Sequence, residues 1–141
     1  MQTHPRSMVL ASLTADALAL GAHWIYDTTK IDKQFGKITV LFPPHEGTYH
    51  PKKKMGDFIH YGDQSFHLLT HLATDDRGTF DVTDYCQNWQ SYMTSYEGYK
   101  DQASKETLKN LESGRGPGTC GSLSTDLGGP ARIAPLIYYY R

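Results

Sequence analysis

Apolar residues recur at three- and four-residue intervals in several stretches of this chain, the spacing of one face of a helix. The pattern predicts a first helix over residues 8–24, a second starting at Asp63, and two more after Asp81 and Asp101. Residues 39–41 are a weak strand candidate, too short to build a sheet. We therefore predict an all-α fold, a multi-helix orthogonal bundle with long loops.

The ends of several helices are marked by residues that favour caps. Asp81 and Asp101 stand where a side chain can accept hydrogen bonds from the first free amides of a helix. Gly114 stands where a helix closes, and Gly36 closes residues 27–35, which can hold a short helix or a turn. The sequence thus predicts helix boundaries as well as helix faces.

The stretch over residues 56–73 carries the strongest site signal. A polar loop with glycines leads into Asp63, after which Phe66, Leu69 and Leu72 share one helical face with Ala73. Asp63 is therefore predicted at a helix N-terminus, where a carboxylate can cap backbone amides. A carboxylate held there can also bind a hard cation or polarise a water molecule. Both interpretations of Asp63 remain open at this point.

Asp16 interrupts the apolar face of the first helix between Leu13 and Leu20. Burying an acid is costly unless it is hydrogen-bonded or carries chemistry, so Asp16 either ties down a loop or belongs to a site. The chain offers two polar loops as partners, at residues 56–64 and 114–130. We expect backbone amides or hydroxyl groups of one of them to contact Asp16.

Composition limits the classes of function. The 141 residues suffice for one domain, and 14 Lys and Arg against 15 Asp and Glu leave no basic excess for nucleic-acid binding. No stretch approaches the roughly 20 apolar residues that span a bilayer. Cys86 and Cys120 make neither a disulfide framework nor a four-ligand zinc site, so a cytoplasmic location is predicted. Lys52, Lys53 and Lys54 are interpreted as a solvated patch, with an anionic ligand as the alternative.

Other candidate sites are weaker. His67 and His71 have the spacing of two zinc ligands on one helix face, but the glutamate of H-E-x-x-H is absent. Asp57 and Asp63 can form a carboxylate pair across two glycines. The glycine-rich stretch 114–130 can bring amides close to a phosphate, yet no Walker lysine follows it.

Three ordered segments resemble the N-terminal half of the ADP-ribosylglycohydrolase family. They are ADALALGAHWIYD at 15–27, HYGDQ at 60–64 and GSLSTDLGGPARIAPL at 121–136. The resemblance implies an all-helical fold and removal of ADP-ribose from modified side chains or related conjugates by a magnesium pair. It also implies that residues 1–141 are the N-terminal part of one such domain and therefore incomplete.

The resemblance implies roles for five residues. Asp63 matches the second aspartate of the Thr-Asp-Asp-Thr metal motif, and would be the catalytic and magnesium-binding residue. Asp16 matches the aspartate of the first-helix Gly-Asp-Ala motif and would contact substrate. Gly121, Ser122 and Leu123 resemble the stretch that contacts ADP-ribose. We predict that Asp16, Asp63 and the Gly121–Ser122 turn lie around one cleft.

This chain also departs from the family pattern. Tyr61, Gly62 and Gln64 replace the other residues of the metal motif, and the first-helix glutamate falls at His23. The second metal motif of the family belongs to a C-terminal half that is absent from this sequence. One acidic ligand cannot hold two hard cations, so the resemblance implies a depleted magnesium site.

Two functions follow as hypotheses. The first is a hydrolase that cleaves a glycosidic ADP-ribosyl bond in an ADP-ribosylated protein or a small conjugate. The alternative is a catalytically silent member of the family that binds ADP-ribose or a related nucleotide, or has a structural role. The apolar run at 131–140 stops without a cap, which indicates truncation and self-association through an exposed face.

Overall fold

The structure, a computed structural model, describes residues 5–141 as an all-helical bundle. Its helices are α1 (Pro5–Ala19), α2 (Thr28–Gln34), α3 (His60–Thr74), α4 (Val82–Ser95), α5 (Gln102–Glu112) and α6 (Ala134–Tyr139), with 3-10 turns at Leu20–Ala22 and Pro130–Arg132. No strand occurs among the described residues, so residues 39–41 lie in a loop. The predicted all-α class is confirmed.

The predicted caps are present at both kinds of helix end. The side chains of Asp27, Asp81 and Asp101 each accept hydrogen bonds from backbone amides two or three residues later, at the starts of α2, α4 and α5. Gly36 and Gly114 follow α2 and α5 with φ angles of +58° and +86°. That left-handed conformation favours glycine and closes each helix.

Helix α1 buries the predicted apolar stripe, with Val9, Leu13 and Leu20 in the core. The helix ends at Ala19, however, and does not run to residue 24 as predicted. The chain turns sharply after the 3-10 turn, where Trp24 adopts a φ angle of +65°. A bulky side chain is rarely found in that region, because its Cβ crowds the backbone.

Helix α3 is the central element, since it packs against α1, α4, α6 and the 130–132 turn. It begins at His60 and not at Asp63, and its buried side includes Ser65, Leu68 and Leu72. The predicted stripe was therefore partly wrong, because the side chain of Phe66 is 49% exposed. Small and polar residues near the start of α3 face its neighbours, so apolar spacing alone misplaced the buried face.

Gly62 is required where α3 meets α1. A Cβ atom added there would lie 2.1 Å from Oδ1 of Asp16 and 2.8 Å from Cβ of Phe58. Real Cβ atoms do not approach neighbours so closely. The absence of a side chain at position 62 therefore allows the first turn of α3 to reach the carboxylate of Asp16.

Helices α4 and α5 pack against each other, and α4 also contacts α3. Met93 is completely buried, whereas Val82 at the start of α4 is 55% exposed. Large apolar side chains after α5 are also exposed, including Leu123, Leu127 and Tyr140. Self-association through such residues stays a prediction. Among the helices of residues 5–141, none is long and apolar enough to cross a membrane.

We predict that Gly62→Ala lowers the free energy of unfolding by about 2 kcal/mol or more. Alanine gains about 1 kcal/mol of helix propensity over glycine, but the clash with Asp16 outweighs that gain. Denaturant unfolding measures the difference. Gly116→Ala is the matched control, because a Cβ at position 116 meets no atom within 4 Å. Equal stability of the two variants would contradict the close approach of α1 and α3.

Candidate functional site

The carboxylate of Asp16 caps α3 from the neighbouring helix α1. Its Oδ1 accepts a hydrogen bond of 2.8 Å from the amide of Ile59, the N-cap residue of α3, whose own side chain makes no cap. The backbone of Gly62 also hydrogen-bonds to this carboxylate. Of the two stretches expected to contact Asp16, residues 56–64 thus supply the amides in the structure.

Burial dominates the protonation of Asp16. It raises the pKa of this carboxyl group to about 7, although the hydrogen bonds from Ile59 and Gly62 act in the opposite direction. The nearby carboxylate of Asp63 also raises this pKa. Asp16 and Asp63 therefore lie close enough for their charges to interact.

Asp63 lies in the first turn of α3, but its side chain makes no cap there. Its Oδ2 instead accepts a 2.6 Å hydrogen bond from Nζ of Lys53 and another from the hydroxyl of Tyr96. The side chains of Lys53 and Asp63 are only 19% and 15% exposed. Lys53 is therefore not part of a solvated patch as predicted, and its ammonium group already neutralises the carboxylate.

The ammonium of Lys53 competes with a magnesium ion for the carboxylate of Asp63. Magnesium needs several oxygen ligands at about 2.1 Å, and the ammonium of Lys53 occupies the position beside Asp63 where a cation would bind. Asp16 is committed to backbone amides. Asp57, the other candidate partner, hydrogen-bonds locally to the amide of Lys54. Magnesium binding by Asp63 stays a prediction, and these contacts argue against it.

A cavity of about 450 Å³ opens beside the Lys53–Asp63 pair. We call it the lysine–tyrosine cavity; its lining residues are Tyr49, His50, Pro51, Lys52, Lys53, Tyr96, Glu97, Gly98 and Tyr99. Lys52 forms an exposed ion pair with Glu97 at 3.2 Å, which contributes little because water screens both groups. Asp63 lies behind this cavity, where it holds Lys53 and Tyr96 in place.

The glycine-rich loop lies at a different cavity. Gly121 and Ser122 line a space of about 370 Å³ together with Trp89, Asp126 and Arg132. Asp16 lines another of about 260 Å³, and the two cavities share no lining residue. The side chain of Leu123 is 95% exposed. The Gly121–Ser122 turn and Asp16 therefore line separate cavities, and Asp63 lines neither.

A polar network joins α3 to the 130–132 turn and α5. Oε1 of Gln64 accepts hydrogen bonds from Nε1 of Trp89 at 3.0 Å and from Arg132 at 3.1 Å. Arg132 also forms an ion pair with Asp101. Burial by itself raises the pKa of Asp101, but hydrogen bonds from His60 and Ser104 and the charge of Arg132 together hold it well below its usual range.

Sequence reasoning missed a cluster of three histidines. One ring nitrogen each from His23, His50 and His60 lies within 4.8 Å of the other two. We call these residues the histidine trio. Nδ1 of His23 lies 2.9 Å from Nε2 of His50. Burial and the neighbouring imidazoles lower the pKa of His23 to about 3 and that of His50 to about 4. The residues are 27 and 10 positions apart, so no local spacing indicated the cluster.

The weaker zinc hypothesis is not supported by the arrangement of His67 and His71. The ring of His67 stacks on Tyr92 with centroids 4.1 Å apart. His71 lies with Asp75 and Asp84 in a second group of possible metal ligands. Arg77 already hydrogen-bonds to both of those carboxylates, at 2.7 and 2.5 Å, so its guanidinium takes the place that a metal ion would need.

No protein-family model, no curated protein and no solved structure matches this chain.

We predict that Asp16→Asn changes the pH dependence of stability. The folded chain holds a proton on Asp16 up to a pKa of about 7, whereas the unfolded chain releases it near 3.8. The free energy of unfolding of the native protein should therefore fall relative to that of Asp16→Asn as pH rises from about 4 to 7, by on the order of 1–4 kcal/mol. Above pH 7 the difference between the two proteins should stay constant. Urea unfolding across this range measures the difference.

Asp81→Asn is the matched control for this experiment. Hydrogen bonds from the amides of Asp84 and Thr83 lower the pKa of Asp81, so the native protein should gain stability relative to this variant only as pH rises to about 4, and the difference should stay nearly constant from there to pH 7. With the measurements extended below pH 4, the two variants should thus deviate in opposite directions and in different pH ranges. If Asp16→Asn follows the same direction as Asp81→Asn, hydrogen bonding outweighs burial at Asp16 and our interpretation is wrong.

Proposed function

We propose that this chain is an ADP-ribosylglycohydrolase-like domain that binds an ADP-ribosyl conjugate in the lysine–tyrosine cavity. The observation that carries the proposal is the position of Lys52 and Lys53 beside Tyr49 and Tyr99 on the walls of one cavity. Ammonium groups bind phosphate oxygens, and tyrosine rings can pack against a nucleobase. A cavity of about 450 Å³ has the size of a small-molecule site.

The state of the basic side chains favours the lysine–tyrosine cavity over the cavity beside Gly121 as the phosphate-binding site. The exposed pair of Lys52 and Glu97 is weak, so a phosphate can replace Glu97 as the partner of Lys52. Asp63 fixes the position of Lys53, whose ammonium has further donors to offer. In the cavity beside Gly121, by contrast, Arg132 is already paired with Asp101. Contacts of ADP-ribose with Gly121, Ser122 or Leu123 stay a prediction.

Of the two predicted functions, binding without metal-dependent cleavage is the one that the contacts support best. Lys53 and Tyr96 already hydrogen-bond to the carboxylate of Asp63, which a magnesium ion or an attacking water would need. The domain in this proposal recognises an ADP-ribosylated protein or a small conjugate in the cytoplasm. Asp63 then acts as a positioning residue for the wall of the cavity.

Hydrolysis of a glycosidic ADP-ribosyl bond is the second candidate, and one observation favours it. Burial raises the pKa of Asp16 to about 7, while the neighbouring Asp63 is paired with an ammonium group. Two carboxyl groups in such different surroundings are the usual basis of acid and base roles. Asp16 would then supply a proton and Asp63 would orient water.

We predict that Lys53→Gln weakens the binding of free ADP-ribose about tenfold or more, because a charged contact with phosphate is lost. Isothermal titration calorimetry measures the dissociation constant. Lys54→Gln is the matched control, since Lys54 is exposed and lies outside the cavity lining. Absence of ADP-ribose binding by the native chain, or equal effects of the two substitutions, would refute the assignment of the cavity.

The two candidate functions separate in a second assay. Release of ADP-ribose from an ADP-ribosylated arginine peptide is followed with and without magnesium, in the native chain and in Asp63→Asn. A silent binding domain releases none in either condition although ADP-ribose binds. Magnesium-dependent release that Asp63→Asn abolishes would instead establish the hydrolase and reject the silent domain.

A further inference from the structure

The histidine trio is buried in a way that leaves ring nitrogens without partners. His60 is 0% exposed and His50 is 2% exposed. Nδ1 of His50 and Nδ1 of His60 have no hydrogen-bond partner among the described residues, and Nε2 of His60 faces only Oδ2 of Asp101, at 3.4 Å. Buried polar atoms nearly always have partners, so this group of unpaired nitrogens requires an explanation.

The surroundings of the trio keep its rings close together. The ring of Trp24 stacks on His23 with centroids 4.2 Å apart, and the ring of Tyr61 lies 3.9 Å from that of His60. The rings of His50 and His60 are themselves stacked at 5.7 Å. These contacts hold the three imidazoles in one aromatic pocket at the start of α3.

We propose that His23, His50 and His60 bind one transition-metal ion of the zinc class. Neutral imidazole nitrogens are ligands for zinc and similar metals, whereas magnesium and calcium prefer oxygen. In a tetrahedral zinc site with Zn–N bonds of about 2.0–2.1 Å, ligand nitrogens lie roughly 3.3 Å apart. The trio nitrogens are already within 4.8 Å of one another, so small rotations of the rings suffice.

Two further features fit such a site. Oδ2 of Asp101 lies 3.4 Å from Nε2 of His60, where a carboxylate can orient a ligand histidine through its other nitrogen. His50 also lines the lysine–tyrosine cavity, which provides a path for an ion. Three histidines leave a fourth coordination position open, as in zinc sites that hold a water molecule. The inference does not depend on the proposed function.

The second group of possible ligands, His71, Asp75 and Asp84, is the competing site. Its two carboxylates are bound to Arg77, whereas no cationic side chain within residues 5–141 hydrogen-bonds to the trio. The two groups also differ in chemistry, since the competing one has a single imidazole. Counting imidazole ligands on a bound metal therefore distinguishes them without any substitution.

The test uses the full 141-residue chain, treated with a chelator and titrated with Co²⁺ and then Zn²⁺. We expect one Co²⁺ per chain with the visible spectrum of a four-coordinate ion, displaced by one Zn²⁺. X-ray absorption of the zinc-loaded native chain should count three imidazoles. His50→Gln should weaken Co²⁺ binding about 100-fold or more, while His67→Gln and His71→Gln leave it unchanged.

Three results would overturn the proposal. The first is the absence of Co²⁺ and Zn²⁺ binding by the native chain at millimolar metal. The second is a bound ion with only one imidazole ligand, which points to the group around His71. The third is binding that survives His50→Gln and is lost in His71→Gln. The first two are measured on the native protein, so they hold even where a histidine variant fails to fold.

Discussion

The hydrogen bonds between Asp16 and the start of α3 are the contact on which the rest of this fold depends. The first turn of a helix has free amides, and α3 has no side-chain cap of its own. A carboxylate from α1 supplies the missing acceptor at 2.8 Å. Gly62 is needed because any Cβ at that position would meet the same carboxylate. This single contact fixes α3 against α1 and thereby determines where His60 and Asp63 lie.

Polar contacts connect the helices of this bundle to an extent that larger cores achieve by apolar packing. Gln64 of α3 accepts hydrogen bonds from Trp89 of α4 and from Arg132, and Arg132 pairs with Asp101 at the start of α5. These bonds link three helices and the 130–132 turn through largely buried groups. Buried polar networks are stable only when their members are satisfied, so they favour one arrangement of the helices. The histidine trio differs from this network because several of its closely spaced ring nitrogens lack partners among the described residues.

The same acidic residues that suggested a metal-dependent hydrolase have structural partners in this fold. Asp16 holds the start of α3, and Asp63 holds Lys53 and Tyr96. In our proposals a ligand contacts the side chains of the lysine–tyrosine cavity, and a metal ion contacts the ring nitrogens of the trio. The chemistry then has to be inferred from the side chains that have no structural role.

The sequence by itself determined the helical class, the capping aspartates at positions 81 and 101, and the glycine that closes α5, because these depend on residues within a few positions of one another. It also identified Asp16 as a buried acid in need of a partner. Only the tertiary structure decided which loop supplied that partner, that Lys53 pairs with Asp63, and that Gly121 and Ser122 lie at a separate cavity. It alone assembled His23, His50 and His60 from three separate segments. Contacts between distant segments follow from how helices pack, and local spacing carries no record of that packing.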